Sequence, residues 1–205
     1  MNASGINRGS AGNVSARVPG SAFGFLITPT GLAYDECGPD DITKVGAGGV
    51  ASGRRKPSSE WRFHHDIYAN MPQAGAVVHT HSPFATALAC QEFGIPPFHY
   101  MVARFGGSDV RCAAYATFGT QLLSDAVLSA LDGRCACLLA HHGMVVFGRD
   151  LKHALALAIE LETLCEQYWR VLQLGPAKLL TGDDMDCVMA MFAEYGQQTA
   201  PSSAQ

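Results

Sequence analysis

The residues of this chain best suited to chemistry are its histidines. There are eight, and four of them stand in two short motifs, His79-Thr80-His81 and His141-His142-Gly143. Each motif ends an apolar run, Ala74 to His79 (AGAVVH) in the first and Cys135 to Ala140 (CACLLA) in the second. Runs of this length and composition read as buried strands. In an extended strand, residues i and i+2 point to the same face, so the imidazoles of His79 and His81 can reach one ion. Neighbouring residues point to opposite faces, so at most one of His141 and His142 joins that cluster. Three imidazoles and one carboxylate make a borderline donor set suited to Zn²⁺ or a similar divalent ion. Alone, His79-Thr80-His81 reads more often as two polar residues closing a strand, and His141-His142 more often as core or turn residues, than as ligands. Together, in a chain with few charges, they favour a metal. Spacing does not identify the carboxylate.

The elements that must position these side chains follow from the surrounding pattern. Val14 to Val18 and Gly24 to Thr28 read as strands, the second closed by the turn Pro29-Thr30-Gly31. Residues 46–57 carry four glycines and the basic triplet Arg54 to Lys56, which reads as a solvated hairpin end rather than an anion site. Ser58-Ser59-Glu60 precedes Trp61, Phe63, Ile67 and Tyr68 at helical spacing, the mark of a helix N-terminus. Further helices are predicted over 83–93, 122–131, 150–174 and 183–195, the third with Leu151, Leu155, Ala158, Leu161 and Leu164 on its buried side. Met144 to Phe147 reads as a continuation of the strand that carries His141 and His142. Strands interleaved with helices, without a strict βαβ rhythm, predict a mixed α/β/α layered domain. No GxGxxG or GK[ST] motif supports a nucleotide site.

Composition bounds the function. A chain of 205 residues, 48% hydrophobic and 16% charged, fits one well-filled domain and excludes disorder. A net charge of −4 argues against a nucleic-acid partner. Seven irregularly spaced cysteines suit a reducing compartment. The absence of a signal-like start or a long apolar run predicts a cytoplasmic protein with no membrane partner.

Several motifs, in this order, resemble the class II aldolase/adducin family: Gly12-Asn13-Val14-Ser15, Ile27-Thr28-Pro29-Thr30-Gly31, Pro57-Ser58-Ser59-Glu60, His79-Thr80-His81 and His141-His142-Gly143. Within the family, His99-Tyr100-Met101, Gly106-Gly107 and Ala114 to Thr120 look like the branch of bacterial L-fuculose-1-phosphate aldolases. The resemblance runs from about Gly9 to Gly196. It implies a single three-layer α/β/α domain with a central mixed, mainly antiparallel sheet, flanked by a short flexible N-terminus (1–12) and a disordered tail (197–205). It also implies a helix ahead of the Asn-Val-Ser strand, where only twelve residues precede Asn13.

The resemblance further implies one Zn²⁺ held by His79, His81, His142 and Glu60, with Glu60 doubling as acid/base. It assigns a substrate phosphate to Asn13, Thr30, Gly31, Ser58 and Ser59. Hydroxyls and amides at a helix start and a glycine turn suit an anion on general grounds too. Tyr100 would reach a neighbouring subunit's site as a proton donor, Tyr195 would lie near the substrate, and the assembly would be a homotetramer with sites between subunits. His141 is expected to be a hydrogen-bonded neighbour rather than a ligand. The implied reaction is reversible retro-aldol cleavage of a ketose 1-phosphate to dihydroxyacetone phosphate and an aldehyde. Epimerases, dehydratases and decarboxylases of sugar phosphates share the metal set, while an intact set counts against a non-catalytic scaffold.

Overall fold

The computed structural model describes residues 1–21 and 24–194. The strands are β1 (Asn13–Arg17), β2 (Phe25–Ile27), β3 (Thr43–Val45), β4 (Ala51–Ser52), β5 (Ala76–Thr80), β6 (Arg111–Ala113), β7 (Ala136–Leu139) and β8 (Gly143–Gly148). They form one sheet in the order β4-β3-β2-β1-β5-β8-β7-β6. Among the described residues only the β6–β7 pair is parallel. The sheet is mixed and mainly antiparallel, as expected.

Its centre is buried on both faces, which is why β5, β7 and β8 read as unbroken apolar runs. Period-two alternation sorts their side chains. Ala76, Val78, Ala136, Leu138, Met144 and Val146 serve one face, and Val77, Cys137, Leu139, Val145 and Phe147 the other. The helices are α1 (Trp61–Asn70), α2 (Pro83–Ala89), α3 (Gln121–Ala130), α4 (Leu151–Leu174) and α5 (Gly182–Glu194). α2, α4 and α5 cover the first face, through Ala85, Leu88, Leu157, Leu161 and Met185. α1 and α3 cover the second, through Phe63, Ile67, Leu123 and Val127. That makes three layers.

α1 starts where the serines placed it, but its N-cap is Glu60 and no side chain caps it, whereas two other helix starts are capped. Asp150 caps α4 by accepting from the His153 amide at 2.7 Å, and Thr120 caps α3 by accepting from the Leu123 amide at 3.3 Å. Arg54 and Arg55 both bind the Asp41 carboxylate, at 2.7 and 2.8 Å, across the hairpin end where the basic triplet was placed.

Other expectations are corrected. Met144 to Phe147 does not continue the preceding strand, because the chain reverses through residues 140–142 and β8 runs back against β7 with Leu139 opposite Gly143. The helix predicted over 83–93 stops at Ala89, after which Glu92 takes a left-handed φ of 54°. The buried stripe of α4 holds Ala154, Leu157, Ala158, Leu161, Leu164 and Cys165, whereas Leu151 is 51% exposed. β3, β4 and β6 are too short to show periodicity and were not foreseen. Within residues 1–12, Ile6 is buried in the core. Residues 197–205 lie outside the described residues, of which no helix is long and apolar enough to cross a membrane.

Candidate metal centre

His79 is the fourth residue of β5 and fully buried. Its Nδ1–H donates to the Met144 carbonyl on β8 at 2.9 Å, which fixes the tautomer and leaves the Nε2 lone pair for a ligand. His81 lies just past the strand end on the same face, its Nε2 3.2 Å from that of His79. His142 is delivered by the β7–β8 turn, whose apex residue His141 has a left-handed φ of 55° and an amide bonded to the Ala89 carbonyl. The three rings sit edge to face, 4.8, 4.9 and 5.0 Å apart, and one nitrogen of each lies within 4.8 Å of the others. Partial burial, then the two neighbouring imidazoles, hold the His81 pKa down at about 4, so its ring is neutral near pH 7.

Glu60 closes the cluster. It occupies the N-cap position of α1, yet its side chain makes no capping bond and is free to turn into the site. Glu60 Oε2 lies 3.2 Å from His79 Nε2, and Oε1 lies 3.1 Å from His142 Nε2. Donors bound tetrahedrally to zinc at ~2.0–2.1 Å stand about 3.3 Å apart, so this spacing fits such a shell. Oε1 is buried and accepts no hydrogen bond, a costly state that a cation would relieve. Burial alone would raise the Glu60 pKa, but His79 and His142 outweigh it and hold the carboxyl well below the usual range. The group therefore fits one divalent cation.

Behind Glu60 runs a buried chain of hydrogen bonds. Asn13 Nδ2 donates to Glu60 Oε2 and to Ser58 Oγ, both at 2.9 Å. Asn13 Oδ1 faces His64 Nε2, His64 Nδ1 lies 2.6 Å from Ser15 Oγ, and Ser15 Oγ lies 2.8 Å from the Tyr68 hydroxyl. His64 was missed in the sequence. The signal was there, since it follows Glu60 by four residues on a helix and so shares its face.

Burial, reinforced by His79, depresses the His64 pKa to about 3, from 6.5. Between those values the unfolded chain binds a proton that the folded chain refuses, so stability falls as pH drops through that window. Each such pH unit costs about 1.4 kcal/mol. The midpoint of thermal unfolding should therefore fall less steeply from pH 6.5 to 4 in His64→Gln than in the unaltered protein. Parallel slopes would refute the assignment.

Gly12, the residue before β1, packs against the end of β5 beside the cluster. Its φ is +72°, and a Cβ there would stand 2.4 Å from the His79 carbonyl oxygen and 3.1 Å from Thr80 Cα. Backbone cannot yield cheaply at that distance. Gly12→Ala should lower stability by about 1–3 kcal/mol through strain and weaken metal binding by shifting β5, as chemical denaturation and chelator competition would read. An unperturbed variant would show that β5 has slack here.

The remaining site residues divide. Thr30 bonds through its amide to Lys56, and the Thr28 carbonyl accepts from the Ser58 amide, so the Thr30-Gly31 turn lies against the segment that leads into α1. Ser59, Thr30 and Gly31 present exposed surface. Asn13 and Ser58 are buried, with polar atoms engaged behind Glu60. Ser59, Glu60, His81, Tyr115, Phe118 and His142 line one open pocket of about 280 Å³. His141 is outside the three-histidine group: it lines the same pocket, with its ring 5.9 Å from that of Tyr115 and Nε2 3.4 Å from Glu92. Tyr100 is not brought to the cluster. It is 49% exposed and stacks on Phe192 of α5, lining a different groove. Tyr195 lies outside the described residues.

Comparison with known proteins agrees with this geometry. Residues 1–169 match the family model described as Class II Aldolase and Adducin N-terminal domain. The chain is 55% identical over 192 residues to a 5-methylthioribulose-1-phosphate/5-deoxyribulose-1-phosphate aldolase of Rhodospirillum rubrum, covering 94% of this chain and 86% of that one. It is 42% identical over 193 residues to an L-fuculose phosphate aldolase of Escherichia coli, covering 94% and 88%. A solved L-fuculose 1-phosphate aldolase superposes with a TM-score of 0.88 at 33% identity, covering 92% and 88%. With a three-histidine cluster and its glutamate on the corresponding fold, the chain belongs to the class II aldolase/adducin family.

Proposed function

We propose that this protein is a zinc-dependent aldolase that cleaves a 5-deoxy- or 5-methylthio-pentulose 1-phosphate into dihydroxyacetone phosphate and a short aldehyde. The observation that carries the reaction type is the Glu60 carboxylate, which faces two ring nitrogens of the three-histidine cluster at the floor of an open pocket. Two observations support the substrate. The relative bearing that pair of substrates in its name is more similar than the L-fuculose phosphate aldolase. The pocket wall carries Tyr115 and Phe118, both more than 60% exposed, which suits a short aldehyde with an apolar methyl or methylthio end; it is the substituent beside the carbonyl, a hydroxyl in the fuculose product and none in the 5-deoxy one, that the panel below separates. This narrows the expectation of an L-fuculose 1-phosphate-like substrate.

In cleavage, the C3–C4 bond breaks, the C4 hydroxyl gives up its proton as the aldehyde forms, and the electron pair left at C3 takes up a proton. His79, His81, His142 and Glu60 would hold the cation, which would supply Lewis-acid polarisation when bound. Glu60 carries the proton exchanged at C3. Ser59, Thr30 and Gly31, with Asn13 and Ser58 behind them, anchor the phosphate and place C3 within reach. Tyr100 belongs to the neighbouring copy's site in a homotetramer, where it exchanges a proton with the C4 oxygen, and Tyr195 acts near the substrate. The exposure of Tyr100 away from its own cluster supports that assignment. A cytoplasmic setting agrees with the seven free cysteines.

The test is a panel of ketose 1-phosphates with coupled detection of dihydroxyacetone phosphate and Zn²⁺ present. The 5-deoxy and 5-methylthio pentulose phosphates should give the highest kcat/KM. A preference for L-fuculose 1-phosphate would overturn the substrate, and no release from any ketose phosphate would overturn the reaction. Light scattering at micromolar concentration should report a tetramer, and a fully active monomer would defeat the shared site.

A further inference from the structure

We propose that His64 is a positioning residue, which through the carboxamide of Asn13 fixes which oxygen of Glu60 is held and which is left free. The proposal rests on the reading of Glu60 as both metal ligand and proton carrier.

The argument is one of donor and acceptor bookkeeping along a path closed to water. Asn13, Ser15, His64 and Tyr68 are all buried. Glu60 is an anion and can only accept, so the Asn13 group facing it must be the NH₂, and Oδ1 must face His64. That oxygen needs a donor, which requires the tautomer of His64 with hydrogen on Nε2. His64 Nδ1 is then an acceptor, satisfied by the Ser15 hydroxyl at 2.6 Å, and Ser15 Oγ in turn accepts from the Tyr68 hydroxyl at 2.8 Å. Every hydrogen bond from Tyr68 to Glu60 therefore points the same way, and no member can reverse alone without setting two donors or two acceptors face to face.

The consequence falls on Glu60. The NH₂ of Asn13 reaches Oε2 only, while Oε1 accepts no hydrogen bond and lies 3.1 Å from His142 Nε2. The two oxygens are thereby made different. One is tethered, and the other is free to coordinate or to take a proton. Without the donor from His64, the Asn13 amide loses the partner that fixes its plane, and Glu60 can rotate within the cluster. The ring of His64 is itself held by packing, with its centroid 4.6 Å from that of Phe63 and 6.5 Å from that of Phe25.

The experiment compares His64→Gln, which can place an amide N–H near the position of Nε2, with His64→Leu, which cannot donate. Two quantities are read: zinc affinity by chelator competition, and kcat and KM for the best ketose phosphate. Partners of this kind are worth about 10–100-fold in metal affinity or activity. His64→Leu should bind zinc about tenfold or more weakly and lose kcat with KM within about threefold, while His64→Gln recovers most of both. Equal losses in the two variants, or none in either, would overturn the proposal.

A merely structural role is separated by repeating the zinc measurement in a Glu60→Ala background. There the His64→Leu change should cost no further affinity, and an undiminished cost would count against coupling through Glu60. If His64→Leu fails to fold, Tyr68→Phe removes the far donor at constant volume and should weaken zinc binding in the same direction. Unchanged affinity in that variant would likewise sink the proposal. Because zinc affinity is read without substrate, a wild-type protein that cleaves no ketose phosphate would defeat the functional reading while leaving this one to be judged on metal binding alone.

Discussion

His79→Ala should emerge from purification without stoichiometric metal and with activity lower by on the order of 10³-fold or more, since Lewis-acid stabilisation supplies several kcal/mol of the barrier reduction. The residue is the innermost of the three imidazoles. Its ring is fully buried, lies edge-on to Phe63 at 5.5 Å and is anchored to the Met144 carbonyl. Truncation therefore removes one ligand, leaves a cavity beside Phe63 and strips a carbonyl of its donor. The structural part should cost about 2–4 kcal/mol, against a total stability of ~5–15, so the variant should fold with a lowered Tm. His81→Ala is the matched control. His81 opens to solvent, so its loss should release the metal with little change in Tm. Metal analysis and thermal unfolding on both variants separate ligand loss from core damage. A His79→Ala protein that retains one zinc per chain and full activity would remove the metal centre from this site.

The contrast between those two histidines was partly legible in the sequence and partly hidden. The i, i+2 spacing placed His79 and His81 on one face because a strand has a fixed period, and the same rule admitted only one of His141 and His142. The structure keeps His142 and sends His141 toward Glu92. What spacing could not give was the β7–β8 reversal. Apolar residues flank the turn on both sides, and neither Gly nor Pro occupies residues 140–142; the left-handed position falls on His141 itself. Turn signals rest on residues that adopt positive φ cheaply, so a turn built on histidine is silent to them.

Glu60 was reached through a family motif rather than a physical rule, since a carboxylate nineteen residues ahead of His79 has no spacing constraint to obey. Its partner His64 has only a four-residue offset from Glu60 to mark it, and that offset names no partner on another element. Only the fold, which brings Asn13 of β1 beside α1, shows where its nitrogen points. Tyr100 illustrates the opposite limit. Its motif is clear in the sequence, but within a single chain it faces Phe192 and has no part in the cluster.

Glu60→Gln should separate the two roles of that carboxylate. The amide is nearly isosteric, and the surroundings dictate its orientation. Asn13 Nδ2 is a donor, so the amide oxygen must take the place of Oε2, 2.9 Å away, and the NH₂ must take that of Oε1, facing His142. His142 Nε2 can accept from it, so the side chain should sit comfortably in the folded protein. It then presents a donor where a ligand oxygen stood. Zinc binding should weaken, and a variant with Glu60 acting only as ligand would regain full activity once zinc is saturating. If Glu60 also carries the C3 proton, reloading will not suffice, because an amide cannot accept a proton near neutral pH. General acid–base help is typically worth ~10²–10⁴-fold. At saturating zinc, the exchange of solvent deuterium into dihydroxyacetone phosphate should therefore be slower than wild type by about that factor, with KM for the phosphate little changed. Exchange at the wild-type rate would reduce Glu60 to a ligand and place the base on another residue of the pocket.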